Sequence, residues 1–330
     1  MFLPIYQIPS AYLAVDFFFL LSGFVLAHAY ERRFAAGLSL GQFIRLRLIR
    51  LYPLFFLGIA LGAIVEIARA RLGVDHLRRG GFTSALISGL AMLPPFVKRP
   101  LSTLFPLNMP AWSLFYEGFA NLALALIWRW LSNRNLGLII AISGAALCVI
   151  AVFHGDVNVG PAWPTFWLGF PRVLFSFFAG VGLRRWAKGL PSSTARWWVP
   201  PTLVIAVSTI LLTQVDGALR IVFNLLTLFL AFPAIIWFGA KFEPSSTAEK
   251  GIYQSLGVCS YAIYLLHYPC LQLLLLVLAK EQVNAERFPF WLYGVLLCAF
   301  WGLCELVDRF YDLPIRRFLT RIASRPEPAR

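Results

Sequence analysis

The sequence predicts an all-α integral membrane protein, a polytopic bundle of nine to ten membrane helices. Hydrophobic residues make up 59% of its 330 residues, charged residues only 13%, and the mean hydropathy is +0.74. A water-soluble domain carries roughly 25% charged and 45–50% apolar residues. This composition excludes a soluble globular protein, and it also excludes disordered, collagen-like, coiled-coil and disulfide-rich chains.

Apolar stretches of about 17–25 residues mark the spans, because a helix of that length crosses the hydrocarbon layer. A further stretch at 82–97 is short and ends in Pro94–Pro95, so it either crosses or enters the membrane partway. We expect residues 318–330 to form a cytoplasmic tail, which leaves 1–317 as one integral-membrane domain. The nine expected spans lie near 12–29, 51–68, 112–131, 136–153, 165–183, 199–213, 219–239, 255–279 and 290–311.

The charge balance is basic, with 29 Lys and Arg against 15 Asp and Glu and a net charge of +14. Loops that flank membrane helices ordinarily carry such a bias, and membrane lipid is its expected partner. No basic run is interleaved with aromatic residues, so we expect no nucleic-acid partner. The five cysteines lie in apolar segments without CxxC spacing, and no metal site is predicted.

Two topologies fit the loops. In one, the N-terminus is outside and 82–97 does not cross; in the other, the N-terminus is inside and 82–97 crosses. The Lys and Arg of the loops do not separate the two. Both topologies place the C-terminus in the cytoplasm and agree from residue 112 onward, but they differ on whether 30–50 faces the cytoplasm.

The first span contains a serine and a glycine among phenylalanines. Ser22 and Gly23 either form a notch that admits another helix backbone or provide a hydroxyl for a site. Asp16, at the start of this span, is interpreted as a cap. His28, at its end, is either a surface residue or a contact to a ligand.

Arginines follow the first span. Paired guanidiniums suit bidentate contact with phosphates, and Arg47 and Arg50 share one face if their segment is helical. The alternative is plain anchoring to anionic lipid. The candidate anion-binding residues are Arg32, Arg33, Arg45, Arg47 and Arg50.

A carboxylate stands one turn into an otherwise apolar span. Because a charge inside a membrane helix is costly, Glu117 is a functional-site candidate. Trp112 and Tyr116 precede it and either line a substrate or belong to an interfacial aromatic belt. Arg172, inside a later span, needs a partner, for which Glu117 is one candidate.

A late span carries a polar stripe. Ser260, Tyr264 and His267 fall at helical spacing on one face. Pro269 removes a backbone hydrogen bond and frees the carbonyl of Leu265 near the imidazole. We interpret His267 as a functional candidate, against the alternative of a histidine that is simply hydrogen-bonded within its helix.

Taken together, these blocks resemble the membrane-bound acyltransferase family 3. The resemblance covers nearly the whole chain, and the blocks occur in the family's order. They are FFLLSGF at 18–24; Arg45, Arg47 and Arg50 before Tyr52–Pro53; Trp112-Ser113-Leu114 with Glu117; SYAIYLLHYP at 260–269; and Asp312-Leu313-Pro314 before Arg316–Arg317.

The resemblance implies an enzyme of the bacterial inner membrane that moves an acyl group, often acetyl, from acyl-CoA to a hydroxyl of a sugar, polysaccharide or glycolipid. Acyl-CoA is a co-substrate, and no bound cofactor is implied. The arginines are implied to hold the donor, Glu117 and His267 to belong to the catalytic group, and Ser22, Trp112, Tyr116, Tyr264 and Arg172 to line the substrate. The family's ten helices, less one, also imply that the arginines face the cytoplasm.

The family's first helix ordinarily carries a basic residue and the histidine implicated as catalytic base. This chain starts after that helix, and no basic residue precedes Arg32. We therefore expect in-frame DNA upstream of Met1 to encode about 20 further apolar residues, the length of one span. That segment is expected to contain one Arg or Lys near its start and a histidine further along. The alternative is that the protein lacks the family's catalytic base.

Two alternative functions without acyl transfer also fit the sequence. One is a transporter or flippase that uses Glu117, Arg172 and His267 as a proton relay. The absence of an internal repeat argues mildly against it. The other is a catalytically inactive homologue that acts as a subunit.

Overall fold

The computed structural model describes residues 8–95, 102–188, 193–194, 198–243, 246–283 and 288–323. Twelve α-helices form the described part, and two strands of two residues each, β1 (Ser193–Thr194) and β2 (Phe242–Glu243), pair in parallel. The helices are α1 (Ala14–Ala35), α2 (Leu40–Arg71), α3 (Arg79–Leu90), α4 (Ala111–Ile127), α5 (Asn133–His154), α6 (Gly169–Ala187), α7 (Val199–Leu212), α8 (Ala218–Leu226), α9 (Phe232–Ala240), α10 (Thr247–Lys280), α11 (Phe290–Val307) and α12 (Leu313–Ala323).

Each of the nine expected spans coincides with helix in the described residues. The segments from α8 to α9 and from α11 to α12 are continuous through π-helical turns at Thr227–Ala231 and Asp308–Asp312. Six segments are both long and apolar enough to cross a membrane: Ala11–Ala35, Leu40–Arg71, Asn133–His154, Ala218–Ala240, Thr247–Lys280 and Trp291–Ala323. The chain is therefore an all-α, polytopic membrane protein.

Local sequence signals explain both ends of α5. The hydroxyl of Ser132 accepts a hydrogen bond from the backbone N–H of Asn135 at 3.2 Å and caps the start of α5. Gly155 ends that helix in the left-handed region, at φ +77°.

Two helices extend beyond the predicted spans. Helix α2 begins at Leu40 rather than near 51, so Arg45, Arg47 and Arg50 lie on a helix and not in a loop. The last helix continues past residue 318 to Ala323, and 324–330 lie outside the described residues. Arginine is a good helix former, so the backbone continues as helix where the hydropathy falls.

The described chain divides into two compact units. The first contains Gly41–Trp112 and Lys250–Arg330, and the second contains Pro4–Leu40 and Ser113–Glu249. The second unit has an apolar core on α1, α5, α6, α8 and α9, which includes Leu20, Leu147, Phe175 and Phe232.

Helices α1 and α4 run in the same direction within the second unit. The Ser22 hydroxyl contacts Glu117, and twelve residues further along α1 the Phe34 ring stacks on Trp128, just beyond α4, at 5.2 Å. Helix α3 has 12 residues and rises only about 18 Å, against a hydrocarbon core of about 30 Å, so this helix alone is too short to cross the membrane.

Helices α1 and α6 cross at a glycine contact. A Cβ atom at Gly23 would lie 1.9 Å from the carbonyl oxygen of Phe177, and one at Gly180 would lie 2.0 Å from that of Leu20. No side chain fits at either position. The predicted packing notch at Gly23 is confirmed.

Candidate functional site

The centre of the second unit contains a buried carboxylate bonded to a hydroxyl. Glu117 on α4 is 2% exposed, and the Oγ of Ser22 on α1 donates a hydrogen bond of 2.6 Å to its Oε1. The glycine contact at the neighbouring Gly23 fixes α1 against α6 and so fixes the position of Ser22. The SG pair of the first span thus serves both roles that the sequence left open: Gly23 packs, and Ser22 holds the carboxylate.

A buried ion pair lies nearer the start of α1. The guanidinium of Arg172 on α6 is fully buried and contacts Asp16, with Nη2 2.6 Å from Oδ2. It also donates to the carbonyl oxygens of Val159 and Tyr12, each at 2.8 Å. The ion-pair partner of Arg172 is thus Asp16, where the sequence offered Glu117 as one candidate, and Asp16 is a buried ion-pair partner rather than a cap. These contacts lock Arg172 in place.

Tyr116 belongs to the packing around this centre. Its hydroxyl donates to the carbonyl oxygen of Phe166 at 2.6 Å and lies 3.3 Å from that of Gly160. Its ring packs edge-to-face against Phe170 at 5.1 Å. A Cβ atom at Gly169 would lie 2.5 Å from the tyrosine ring, which shows how closely α6 approaches it.

The far end of α1 is rich in arginine. Arg32 and Arg33 lie exposed in its last turn, with Arg33 over the Tyr30 ring at 5.2 Å. Arg184, in the last turn of α6, donates to Nδ1 of His28 at 3.0 Å. Arg185 bonds Glu31 at 2.7 Å. Together Arg32, Arg33, Arg184 and Arg185, here called the arginine end of the second unit, carry more positive charge than Glu31 balances.

The first unit has its own arginine group at the start of α2. Arg47 and Arg50 are three residues apart on a helix, as one shared face requires. Arg50 interacts electrostatically with Arg47, Arg316 and Asp312. Asp312 and Asp308 in turn bond Arg316 at 2.8 and 3.0 Å. Arg45 is exposed on the same turns.

Other helices hold this part of α2 in place. The hydroxyl of Tyr261 on α10 donates to the carbonyl oxygen of Leu51 at 2.8 Å, and that of Tyr311 donates to Pro53 at 3.1 Å. The block that contains Arg316 is thereby placed beside the start of α2. An anionic ligand at this point would meet Arg47, Arg50 and Arg316 together.

The chain matches the model of an acyltransferase domain over residues 2–304. The chain belongs to the acyltransferase 3 family. It is 24% identical over 343 aligned residues to the acyltransferase MdmB of Streptomyces mycarofaciens, an alignment that covers 96% of this chain and 84% of that protein. It is also 43% identical over 155 residues to protein 2 in the picA locus of Rhizobium radiobacter, covering 43% of this chain and 79% of that one. No solved structure matches the chain significantly.

Because the chain belongs to this family, it is a membrane enzyme that transfers acyl groups other than aminoacyl groups. The buried carboxylate can therefore be compared with the needs of acyl transfer. Acyl transfer to a hydroxyl requires a group that takes or orients the hydroxyl proton and donors that stabilise the oxyanion. Glu117 and Ser22 are a carboxylate and a hydroxyl already in contact. Among the described residues no group of three or more His, Cys, Asp or Glu could hold a metal ion.

The late polar stripe lies in the first unit of this acyltransferase. Nδ1 of His267 is 3.0 Å from the carbonyl oxygen of Ile263, one turn back in its own helix, and its ring lies 6.1 Å from that of Tyr264. The Tyr264 hydroxyl donates to the carbonyl oxygen of Pro110 at 2.8 Å. This hydrogen bond joins α10 to the residue just before α4, and Trp112 in the first turn of α4 is buried.

The carbonyl oxygen of Leu265, which Pro269 leaves without a backbone donor, accepts a hydrogen bond from a side chain. Nδ2 of Asn108, a fully buried side chain, donates to the carbonyl oxygen of Leu265 at 2.9 Å. Gly58 makes room for this amide, since a Cβ atom there would lie 2.6 Å from it. The sequence predicts the free carbonyl, but it does not show which residue binds it.

Sequence reasoning missed three groups near these sites. Arg184 has the sequence context of an ordinary loop charge, and Arg316 is marked only as part of its family block; the fold brings them beside His28 and Arg50. Asn121 lies one turn after Glu117 on α4, is 3% exposed, and neither polar atom of its amide has a hydrogen-bond partner among the described residues. The spacing of four residues in an apolar helix was the available signal for Asn121.

Proposed function

We propose that this acyltransferase moves an acyl group, with acetyl expected, from acyl-CoA to a hydroxyl of a sugar, polysaccharide or glycolipid at the bacterial inner membrane. The observation that carries the proposal is the buried hydrogen bond between Ser22 and Glu117 in a member of this family. A carboxylate held this way inside a membrane protein is costly, and substrate chemistry accounts for it.

Two observations support the donor. Coenzyme A is a polyanion that stays in the cytosol, and guanidiniums are well suited to its phosphates. Arginines lie in the last turn of α1 and on the first turns of α2, two helices that are four residues apart in the sequence. We place these arginines at the cytoplasmic face together with the C-terminus.

The reaction forms one bond and breaks another. The acceptor oxygen attacks the thioester carbonyl carbon, the acceptor proton passes to a base, and the carbon–sulfur bond breaks. The sulfur leaves as a thiolate that takes up a proton, and the acceptor keeps the acyl group as an ester. The family resemblance implies a histidine as the base, and Glu117 orients an imidazole or the acceptor hydroxyl.

A proton-relay transporter is less well supported. Its relay would use Glu117, Arg172 and His267, but the Arg172 guanidinium is bound by Asp16 and by two backbone carbonyls. A cation so fixed stabilises the bundle and does not move with a transported proton.

Labelled acetyl-CoA tests the transfer. Membranes that contain the protein are incubated with acetyl-CoA labelled in the acetyl group, and label in envelope carbohydrate and glycolipid is counted. We expect Glu117→Gln to reduce incorporation at least about a hundredfold, the scale of a lost acid–base group, because Gln keeps the shape and loses the charge.

Glu281→Gln is the matched control, because Glu281 is an exposed carboxylate outside the site. This variant is expected to retain full incorporation. Equal incorporation by wild type and Glu117→Gln, at equal amounts of folded protein, would return Glu117 to a structural role.

A further inference from the structure

Asn121 is a buried polar side chain whose role is not explained by hydrogen bonds among the described residues. It is 3% exposed, and within the described residues neither its Nδ2 nor its Oδ1 has a hydrogen-bond partner. Buried side-chain amides are nearly always bonded, because leaving one unpaired costs free energy. By contrast, Asn224 in the same unit accepts from Tyr12 at 2.9 Å and donates to Asp156 at 3.1 Å.

Asn121 lies on α4 on the side of Glu117 that faces the arginine end of the second unit. It follows Glu117 by one helical turn, about 6 Å of rise. Because α1 and α4 run in the same direction, this step leads from the Ser22–Glu117 bond toward the arginine end. Arg32 lies ten residues beyond Ser22 on α1, about 15 Å further along. Asn121 therefore stands between the carboxylate and the arginines.

A coenzyme A donor has its polar groups in the same order. Its phosphates come first, then the pantetheine arm with two secondary amides, then the thioester. The extended arm is about as long as four to five extended residues, roughly 15 Å. A side-chain amide offers one acceptor and two donor hydrogens, which complement the N–H and the carbonyl of such an amide.

We infer that Asn121 is a positioning residue that binds an amide of the pantetheine arm of acyl-CoA and so sets the thioester beside Glu117. The inference rests on the proposed function, because it takes acyl-CoA as the donor. It adds a specific contact between the arginines and the carboxylate, where neither the family blocks nor the relatives assign one. The bound arm supplies the hydrogen-bond partner that the Asn121 amide lacks among the described residues.

The test compares two ligands on one variant. Affinities of the purified full chain in detergent are measured for coenzyme A and for its nucleotide portion without the pantetheine arm. We expect Asn121→Leu to lower the affinity for coenzyme A about fivefold to tenfold, which is the scale of one hydrogen bond. The affinity for the nucleotide portion is expected to stay unchanged. A merely structural residue would not change the ratio of the two affinities.

Asn224→Leu is the matched control. It removes an equally buried amide that does have partners, so we expect it to lower the melting temperature and to keep the affinity ratio of wild type. Asn121→Leu is expected to melt at or above the wild-type temperature, since it removes an unpaired polar group.

Three results would overturn the inference. An unchanged affinity for coenzyme A, or equal losses for both ligands, would show that Asn121 does not bind the arm. A larger loss of stability in Asn121→Leu than in Asn224→Leu would assign Asn121 to packing. Absence of coenzyme A binding by the wild type would instead remove the proposed donor itself, which distinguishes the two failures.

Discussion

At the scale of single residues, two buried carboxylates have different partners. Asp16 is fully engaged by a guanidinium that also binds two carbonyl oxygens, which is a closed structural arrangement. Glu117 accepts a hydrogen bond from the hydroxyl of Ser22, which is a neutral group. The sequence predicts that Glu117 is special, but it does not show that Arg172 belongs to Asp16. That pairing joins residues 156 positions apart and is set by the crossing of α1 and α6.

Disruption of the buried Arg172–Asp16 ion pair is expected to cost much of the stability of the protein. Arg172→Gln leaves Asp16 buried without its cation, which typically costs about 3–5 kcal/mol of the free energy of unfolding. Arg220→Gln breaks the Arg220–Asp156 pair, whose arginine is 41% exposed, and should cost about 1 kcal/mol or less. Unfolding of both purified variants measures the difference. Similar losses in the two variants would contradict the structural role given to Arg172.

At the scale of elements, the spans follow from hydropathy, whereas their ends and contacts do not. Hydropathy falls at the arginines before residue 51, yet the backbone of α2 is helical from Leu40. The glycine of FFLLSGF predicts a close helix contact, but its partner, the Phe177 carbonyl, is visible only in the fold. Likewise, Pro269 predicts a free carbonyl in α10, and only the structure shows that Asn108 binds it.

The α1–α6 crossing gives a prediction of its own. A methyl group at Gly23 would lie 1.9 Å from the Phe177 carbonyl oxygen, so Gly23→Ala must push the helices apart. We expect a loss of about 1–3 kcal/mol in the free energy of unfolding. Gly137→Ala is the control, since nothing lies within 4 Å of its added Cβ and alanine favours helix. Equal stability of Gly23→Ala and wild type would mean that the helices do not touch there.

At the scale of the whole molecule, the chain is a membrane acyltransferase built from two units. The composition predicts the membrane, and five short blocks in order predict the family. The sequence does not predict the grouping of Arg316 with Arg47 and Arg50, because they are separated by more than 260 positions. It also carries no signal for the acceptor, whose recognition depends on side chains that no motif marks.

The account depends most on acyl-CoA as the donor, and the direct measurement is coenzyme A affinity in three proteins: wild type, Arg47→Gln/Arg50→Gln and Arg78→Gln/Arg79→Gln. The two double variants lose equal charge, and Arg78 and Arg79 are exposed beyond the opposite end of α2. We predict that the wild type binds coenzyme A and that the Arg78/Arg79 variant binds it with the same affinity. The Arg47/Arg50 variant is predicted to insert normally into the membrane but to bind coenzyme A at least about tenfold more weakly. No binding by the wild type, or equal affinities in all three proteins, would contradict the account.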